Sequence, residues 1–153
     1  MATHNVLFIC TGNICRSPMA EAVCRSLAYQ QGLPVEAQSA GTLDLKGRGA
    51  DNKAIRTCKS IGIDLSDHRS QPLSTDVLSW ADWVLAMELH HMAHVTEYLE
   101  GDPTLLDPSR LLLLGPFGGL HEIDDPYGGW FWDFNRSRRE IERSVSGFLS
   151  RLS

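Results

Sequence analysis

The first apolar block, Val6-Leu7-Phe8-Ile9, has no polar alternation, which predicts a strand buried on both faces. A Gly-containing turn follows. Ser17-Pro18-Met19-Ala20-Glu21 then reads as a helix start, with Ser17 as N-cap, Pro18 at the first helical position and Glu21 in the first turn. Met19, Val23 and Leu27 recur every four residues and give that helix one apolar face. A second strand is expected over 35–40 and a helix over 51–61, with Ala54, Cys58 and Ile61 on its buried side and Gly62 at its end. A short helix over 78–83, a strand over 83–87 and a helix over 88–99 come next. A fourth strand over 111–114 is stopped by Gly115-Pro116. Residues 117–129 read as loop, and 133–152 as a closing helix whose buried stripe is Ile141, Val145, Phe148 and Leu152.

Strands alternating with helices imply a single α/β domain over 1–153, a four-stranded parallel sheet with helices on both faces. Such sheets bind ligands at the carboxyl ends of their strands. The loops after the first and fourth strands are therefore the places to look for chemistry.

Composition changes this picture little. The chain has 153 residues, 42% apolar and 22% charged, enough for one substantial core. Its net charge of −5 argues against a nucleic-acid partner. Residues 6–9 are too short for a signal peptide or a membrane span, so a cytoplasmic location is expected. Four cysteines, Cys10, Cys15, Cys24 and Cys58, do not make a disulfide scaffold in a chain this long.

The loop after the first strand runs Cys10-Thr11-Gly12-Asn13-Ile14-Cys15-Arg16-Ser17-Pro18. The first N–H groups of the helix that follows lack intrahelical partners, and the dipole there favours an anion. Gly12 and Asn13 are the residues that most easily take positive φ and let N–H groups converge. A cysteine in this positive field is favoured as thiolate and can attack phosphorus. Arg16 offers a planar fork matching two phosphate oxygens, and Ser17 can donate a hydrogen bond to Cys10.

Cysteine, five residues, then Arg-Ser-Pro, with Gly-Asn inside, resembles the phosphate loop of the low molecular weight protein tyrosine phosphatases. The resemblance runs on through Ser39-Ala40-Gly41-Thr42, Gly47-Arg48-Gly49-Ala50-Asp51 and His68-Arg69-Ser70-Gln71. It implies Cys10 as nucleophile, Arg16 as phosphate ligand, and a phosphate-binding loop of Thr11, Gly12, Asn13, Ile14, Cys15 and Ser17. It also implies that Asn13, Ser39 and His68 support the loop by hydrogen bonds reaching Ser17. No cofactor or metal is implied. The substrate would be a phosphotyrosine-containing protein, in bacterial relatives often a tyrosine kinase, and the product inorganic phosphate.

An aryl phosphate ester needs a general acid for its leaving oxygen. Asp124-Asp125-Pro126-Tyr127 supplies two carboxyls that are equal candidates on sequence alone. The resemblance selects the Asp before Pro, Asp125, and makes Tyr127 a cleft wall with Leu45 facing it. Gly128 stands where many members carry a second aromatic residue, so the wall is expected to be low. The aromatic run Trp130, Phe131, Trp132, Phe134 reads chiefly as core packing and helix docking, although the five aromatics from Tyr127 to Phe134 cannot all point inward on one helix start, which leaves some to face the cleft or a partner.

Cys15 matches a family cysteine able to form a disulfide with the nucleophile, which implies a Cys10–Cys15 bond under peroxide. Cys24 and Cys58 read as core. His90, His91 and His94 read as a solvated helix face, since no third ligand sits at a diagnostic spacing for a metal. The charged run from Arg136 to Arg143 also reads as a solvated face. Two related activities compete with tyrosine phosphatase. In phosphoarginine phosphatases a Thr precedes the second loop cysteine; Ile14 here favours tyrosine, although Asp-Pro-Tyr-Gly-Gly resembles that branch. Arsenate reductases of this fold need further cysteines around residues 80–90, and none is present.

Overall fold

The computed structural model describes residues 2–153. Four strands, β1 (His4–Cys10), β2 (Val35–Gly41), β3 (Trp83–Ala86) and β4 (Leu111–Leu113), form one parallel sheet in the order β2-β1-β3-β4. The helices are α1 (Arg16–Gln31), α2 (Asn52–Lys59), α3 (Thr75–Trp80), α4 (Leu89–Gly101) and α5 (Phe131–Leu152). This is the four-stranded α/β architecture that the alternating pattern predicts.

Both faces of β1 are buried, which explains its unbroken apolar run. Val6, Phe8 and Cys10 enter a core with Met19 and Val23 of α1, Cys58 of α2, and Phe134, Ile141 and Phe148 of α5. Leu7 and Ile9 enter the opposite core with Val77 and Leu78 of α3 and Val95 and Leu99 of α4. Each such apolar side chain contributes about 1.5–3 kcal/mol through burial. The chain leaves β1 to one side for β2 and returns to its other side for β3, so a crevice opens at the carboxyl end of β1. Cys10, its last residue, lies opposite Gly41 at the end of β2. A Cβ on Gly41 would sit 2.7 Å from the carbonyl oxygen of Thr11, so glycine permits this close approach.

Several boundaries differ from expectation. Cys15, not Ser17, occupies the N-cap position of α1, because Arg16 already has helical geometry. Ser17 and Pro18 therefore lie inside the first turn, where Pro is tolerated because its missing N–H would have had no partner. α3 spans Thr75–Trp80 rather than 78–83, since the Ser74 hydroxyl accepts from the Val77 N–H at 3.2 Å and starts the helix early. α5 begins at Phe131, where the Asp133 carboxylate accepts from the Trp130 N–H at 2.8 Å. α2 ends at Lys59, which leaves Ile61 38% exposed instead of buried. The stretch after β4 includes a short 3-10 turn, Gly115–Gly118. Among the described residues, no helix is long and apolar enough to cross a membrane.

Candidate active site

Asn13 is the centre of the loop between β1 and α1. It is fully buried and holds a left-handed backbone with φ of 57°. Gly12, the other residue expected to adopt positive φ, does not. Its requirement is space, since a Cβ there would approach Leu45 Cδ1 to 2.9 Å. Asn13 Oδ1 accepts from the Gln71 N–H at 2.9 Å, which fixes the orientation of the amide. Its Nδ2 then donates to Ser17 Oγ and to Ser39 Oγ, both at 2.8 Å. The Asn13 carbonyl accepts from His68 Nε2 at 2.7 Å, and Ser39 Oγ donates to Glu21 Oε1 at 2.7 Å.

These bonds set the direction of the next one. Ser17 Oγ already accepts from Asn13, so its own hydrogen is free for Cys10 Sγ, 2.9 Å away. Ser17 is thus oriented as a donor to the sulfur. The chain Gln71, Asn13, Ser17, Cys10 ties the loop to a segment more than fifty residues away.

Arg16 is 1% exposed, a buried cation held from one side. Its Nη1 donates to Glu88 Oε2 and to the Ile123 carbonyl, both at 2.8 Å. Nη2 lies 3.6 Å from Asp125 Oδ2, and the buried Nε has no partner. The edge bearing Nε and Nη2 is the one suited to two oxygens of a tetrahedral anion. Burial raises the pKa of Glu88, but the Arg16 hydrogen bond and charge, with His90 and His91, outweigh it and hold the carboxyl below the usual range.

His91 corrects the sequence reading. It is wholly buried behind the loop, not on a solvated face. Its Nδ1 accepts from the Glu88 N–H at 3.0 Å, which puts the neutral ring's proton on Nε2, aimed at Thr11 Oγ1 2.9 Å away. Burial, then the Arg16 and His90 charges, lowers its pKa to about 3 against the pull of Glu88. His91 thus links Thr11 of the loop to the segment that anchors Arg16. Glu88 escaped notice in the sequence, and His91 was read only as part of a solvated helix face. The available signal was an acid directly after the third strand with a histidine three residues on, a capping spacing. Glu88, His90 and His91 each offer a ligand atom within 4.8 Å of the others. The Glu88 carboxylate and both His91 nitrogens already have hydrogen-bond partners, which would compete with a metal ion.

Cys10, Thr11, Arg16 and Asp125 meet in one pocket of 250 Å³. Ile14, Leu43, Leu45 and Tyr127 form its apolar walls, and Arg48 its rim. Leu43 and Arg48 were not anticipated. Asp125 is exposed at the mouth, its side chain 46% accessible, and its Oδ1 accepts from the Tyr127 N–H at 3.0 Å. Asp124 is absent from the pocket lining, which separates two carboxyls that the sequence left equal. Ser39 and His68 support the loop from outside the pocket.

The remaining candidates divide. All four cysteines are free and buried. Burial, followed by nearby Asp51, pushes the Cys15 thiol pKa strongly upward, and burial pushes Cys24 and Cys58 up to about 12. Trp130 and Trp132 are not core: they are 67% and 63% exposed and stack with centroids 5.5 Å apart. Starting α5 at Phe131 sends Phe134 inward and these two outward. Arg138 leaves the solvated face to bond Thr57 Oγ1 at 3.2 Å and Glu142 at 2.6 Å.

Comparison with known proteins agrees with this geometry. Residues 5–153 match the model of the family described as low molecular weight phosphotyrosine protein phosphatase. A low molecular weight protein-tyrosine-phosphatase of Streptomyces coelicolor is 35% identical, over 97% of this chain and 93% of its own length. A protein-arginine-phosphatase of Geobacillus stearothermophilus is 34% identical, over 97% and 96%. The crystal structure of the low molecular weight protein tyrosine phosphatase from T. tengcongensis superposes with a TM-score of 0.86 at 33% identity, covering 97% of this chain and 99% of that one. The chain belongs to the low molecular weight protein tyrosine phosphatase family of hydrolases.

Proposed function

We propose that the chain hydrolyses phosphotyrosine in proteins through a cysteinyl-phosphate formed on Cys10. The observation that carries this reading is the hydroxyl of Ser17 directed at Cys10 Sγ, in a pocket also lined by Arg16, whose buried Nε has no partner. The Cys10 thiolate attacks phosphorus as the P–O(aryl) bond breaks. Asp125, in its acid form, gives its proton to the departing oxygen. Arg16 and the loop N–H groups hold the equatorial oxygens where charge develops. Water then attacks phosphorus and loses a proton to the Asp125 carboxylate. The P–S bond breaks, Cys10 leaves as thiolate stabilised by Ser17, and inorganic phosphate departs.

Pocket chemistry supports an aryl ester over a guanidino phosphate. Ile14, Leu43, Leu45 and Tyr127 present apolar surface, which suits a phenyl ring. The guanidinium N–H groups of phosphoarginine need acceptors, and Asp125 is the one carboxylate of the lining. Relatives of both specificities make the direct comparison necessary. Phosphotyrosyl and phosphoarginyl versions of one peptide, assayed together with EDTA present, should differ in kcat/KM by at least about tenfold in favour of tyrosine. Ile14→Thr should narrow that ratio. Faster turnover of phosphoarginine by the wild type would overturn the assignment. Arsenate reduction in the same assay would point to the third activity. Cys58, buried in the last turn of α2, gives that activity no support.

A further inference from the structure

Arg48 is shared between two depressions. It lies on the rim of the pocket above Cys10 and also lines a neighbouring trough of 610 Å³ that continues past Asp51 to Lys53 and Arg56. Arg69 closes on the same turn: its Nη1 donates to the His68 carbonyl at 2.8 Å and would lie 3.5 Å from a Cβ on Gly49. Among the described residues, none of these four cations has a carboxylate within 4.0 Å. Arg56 rests 4.1 Å from the Phe131 ring centroid and Lys53 5.8 Å from that of Phe134. Aromatic rings place these two charges without neutralising them. Asp51 is the carboxylate of the trough, and it caps α2 by accepting from the Lys53 N–H at 2.8 Å.

In the trough itself, three cations, Arg48, Lys53 and Arg56, against one carboxylate make a local excess of positive charge in a chain of net −5. A phosphate above Cys10 would not account for it, because Arg16 lines that part of the pocket while Lys53 and Arg56 lie outside it. Asp125 lies at the same pocket mouth, so the entrance carries charges of both signs. A polypeptide whose phosphotyrosine enters the pocket must pass its neighbouring residues over this rim.

We propose that the trough from Arg48 to Arg56 is a subsite for an acidic residue flanking the phosphotyrosine of the protein substrate; this rests on the phosphotyrosine reading above. Arg48 bridges the two sites, and a Glu or Asp side chain meets paired or forked N–H donors on the α2 side. The subsite selects among phosphoproteins without taking part in the chemistry.

The test compares phosphotyrosyl peptides with Glu, Gln or Lys on either side of the phosphotyrosine, together with p-nitrophenyl phosphate, which has no flanking chain. At low ionic strength the wild type should prefer Glu over Gln flanks by about fivefold to tenfold in kcat/KM, chiefly through KM. Added salt should erode that preference. Lys53→Glu with Arg56→Glu should abolish or invert it and leave p-nitrophenyl phosphate turnover unchanged, which also reports an intact fold. Equal rates on Glu and Gln peptides, or a preference that survives the double substitution, would overturn the subsite alone. A wild type inactive on both p-nitrophenyl phosphate and the peptides would overturn the phosphatase reading and the subsite with it.

Discussion

Ser17 Oγ lies 2.9 Å from Cys10 Sγ and at the same time accepts a hydrogen bond from Asn13. The second bond makes the first directional, so the hydroxyl supports a sulfur carrying negative charge. Its largest effect falls where thiolate is the leaving group, in hydrolysis of the cysteinyl-phosphate. Ser17→Ala should lower kcat on p-nitrophenyl phosphate by about 10²-fold, the scale of one lost donor to a developing charge. KM should fall with it, and stopped-flow traces should show a burst of nitrophenol before the slow steady state. A loss of activity with no burst would place the role of Ser17 in the first step.

Asn13 combines backbone and side-chain demands at one position. Its left-handed backbone suits Asn or Gly, and its amide makes three bonds that hold the loop. Asn13→Gly keeps the backbone and removes the bonds, whereas Asn13→Ala also adds strain. Urea denaturation should show both variants destabilised, Asn13→Ala by about 2–4 kcal/mol and more than Asn13→Gly. Both should lose phosphatase activity, because N–H convergence depends on those bonds.

Asp125 faces the pocket mouth, so its contribution should depend on the leaving group. Asp125→Ala should slow cleavage of alkyl-substituted phenyl phosphates by about 10²–10⁴-fold, and much less for nitrophenyl or dinitrophenyl esters that depart without a proton. The measurement is a plot of log kcat/KM against leaving-group pKa, steeper in the variant. Equal slopes would assign the acid elsewhere.

His91 is buried neutral, with its pKa lowered to about 3 from an ordinary 6.5. Between those values the unfolded chain binds a proton that the folded chain refuses. Stability therefore falls as pH drops through that window, by up to about 1.4 kcal/mol per pH unit from this group. Thermal melts of wild type and His91→Asn between pH 7 and pH 4 should show a weaker pH dependence in the variant, whatever its lower stability at neutral pH. Glu88 acts at the acid end: its carboxyl is held below the usual range, so its contribution is lost as pH falls through that depressed value.

What could be read in advance follows from how local each signal is. β1, the loop and the start of α1 are contiguous, so Cys10, Arg16 and Ser17 were legible as an anion site, and strand–helix alternation was enough for the parallel sheet. Asp125 lies 109 residues beyond Arg16 and needed the family resemblance to separate it from Asp124. Glu88 was missed and His91 misplaced on a solvated face because helical periodicity does not reveal that the start of α4 abuts the loop after β1. Which members of the aromatic run face outward was not legible for a related reason. A capping bond from Asp133 starts α5 two residues early, which turns the rings of Trp130 and Trp132 outward.

The central claim is that phosphate passes through the sulfur of Cys10. Wild type mixed rapidly with excess phosphotyrosyl peptide and quenched in acid should, after digestion and mass spectrometry, carry one phosphoryl group on the Cys10 peptide. Ser17→Ala should accumulate more of it, and Cys10→Ser should neither turn over substrate nor form the thiophosphate. Turnover near the wild-type rate by Cys10→Ser, or a phosphoryl group on another side chain at a competent rate, would contradict the account.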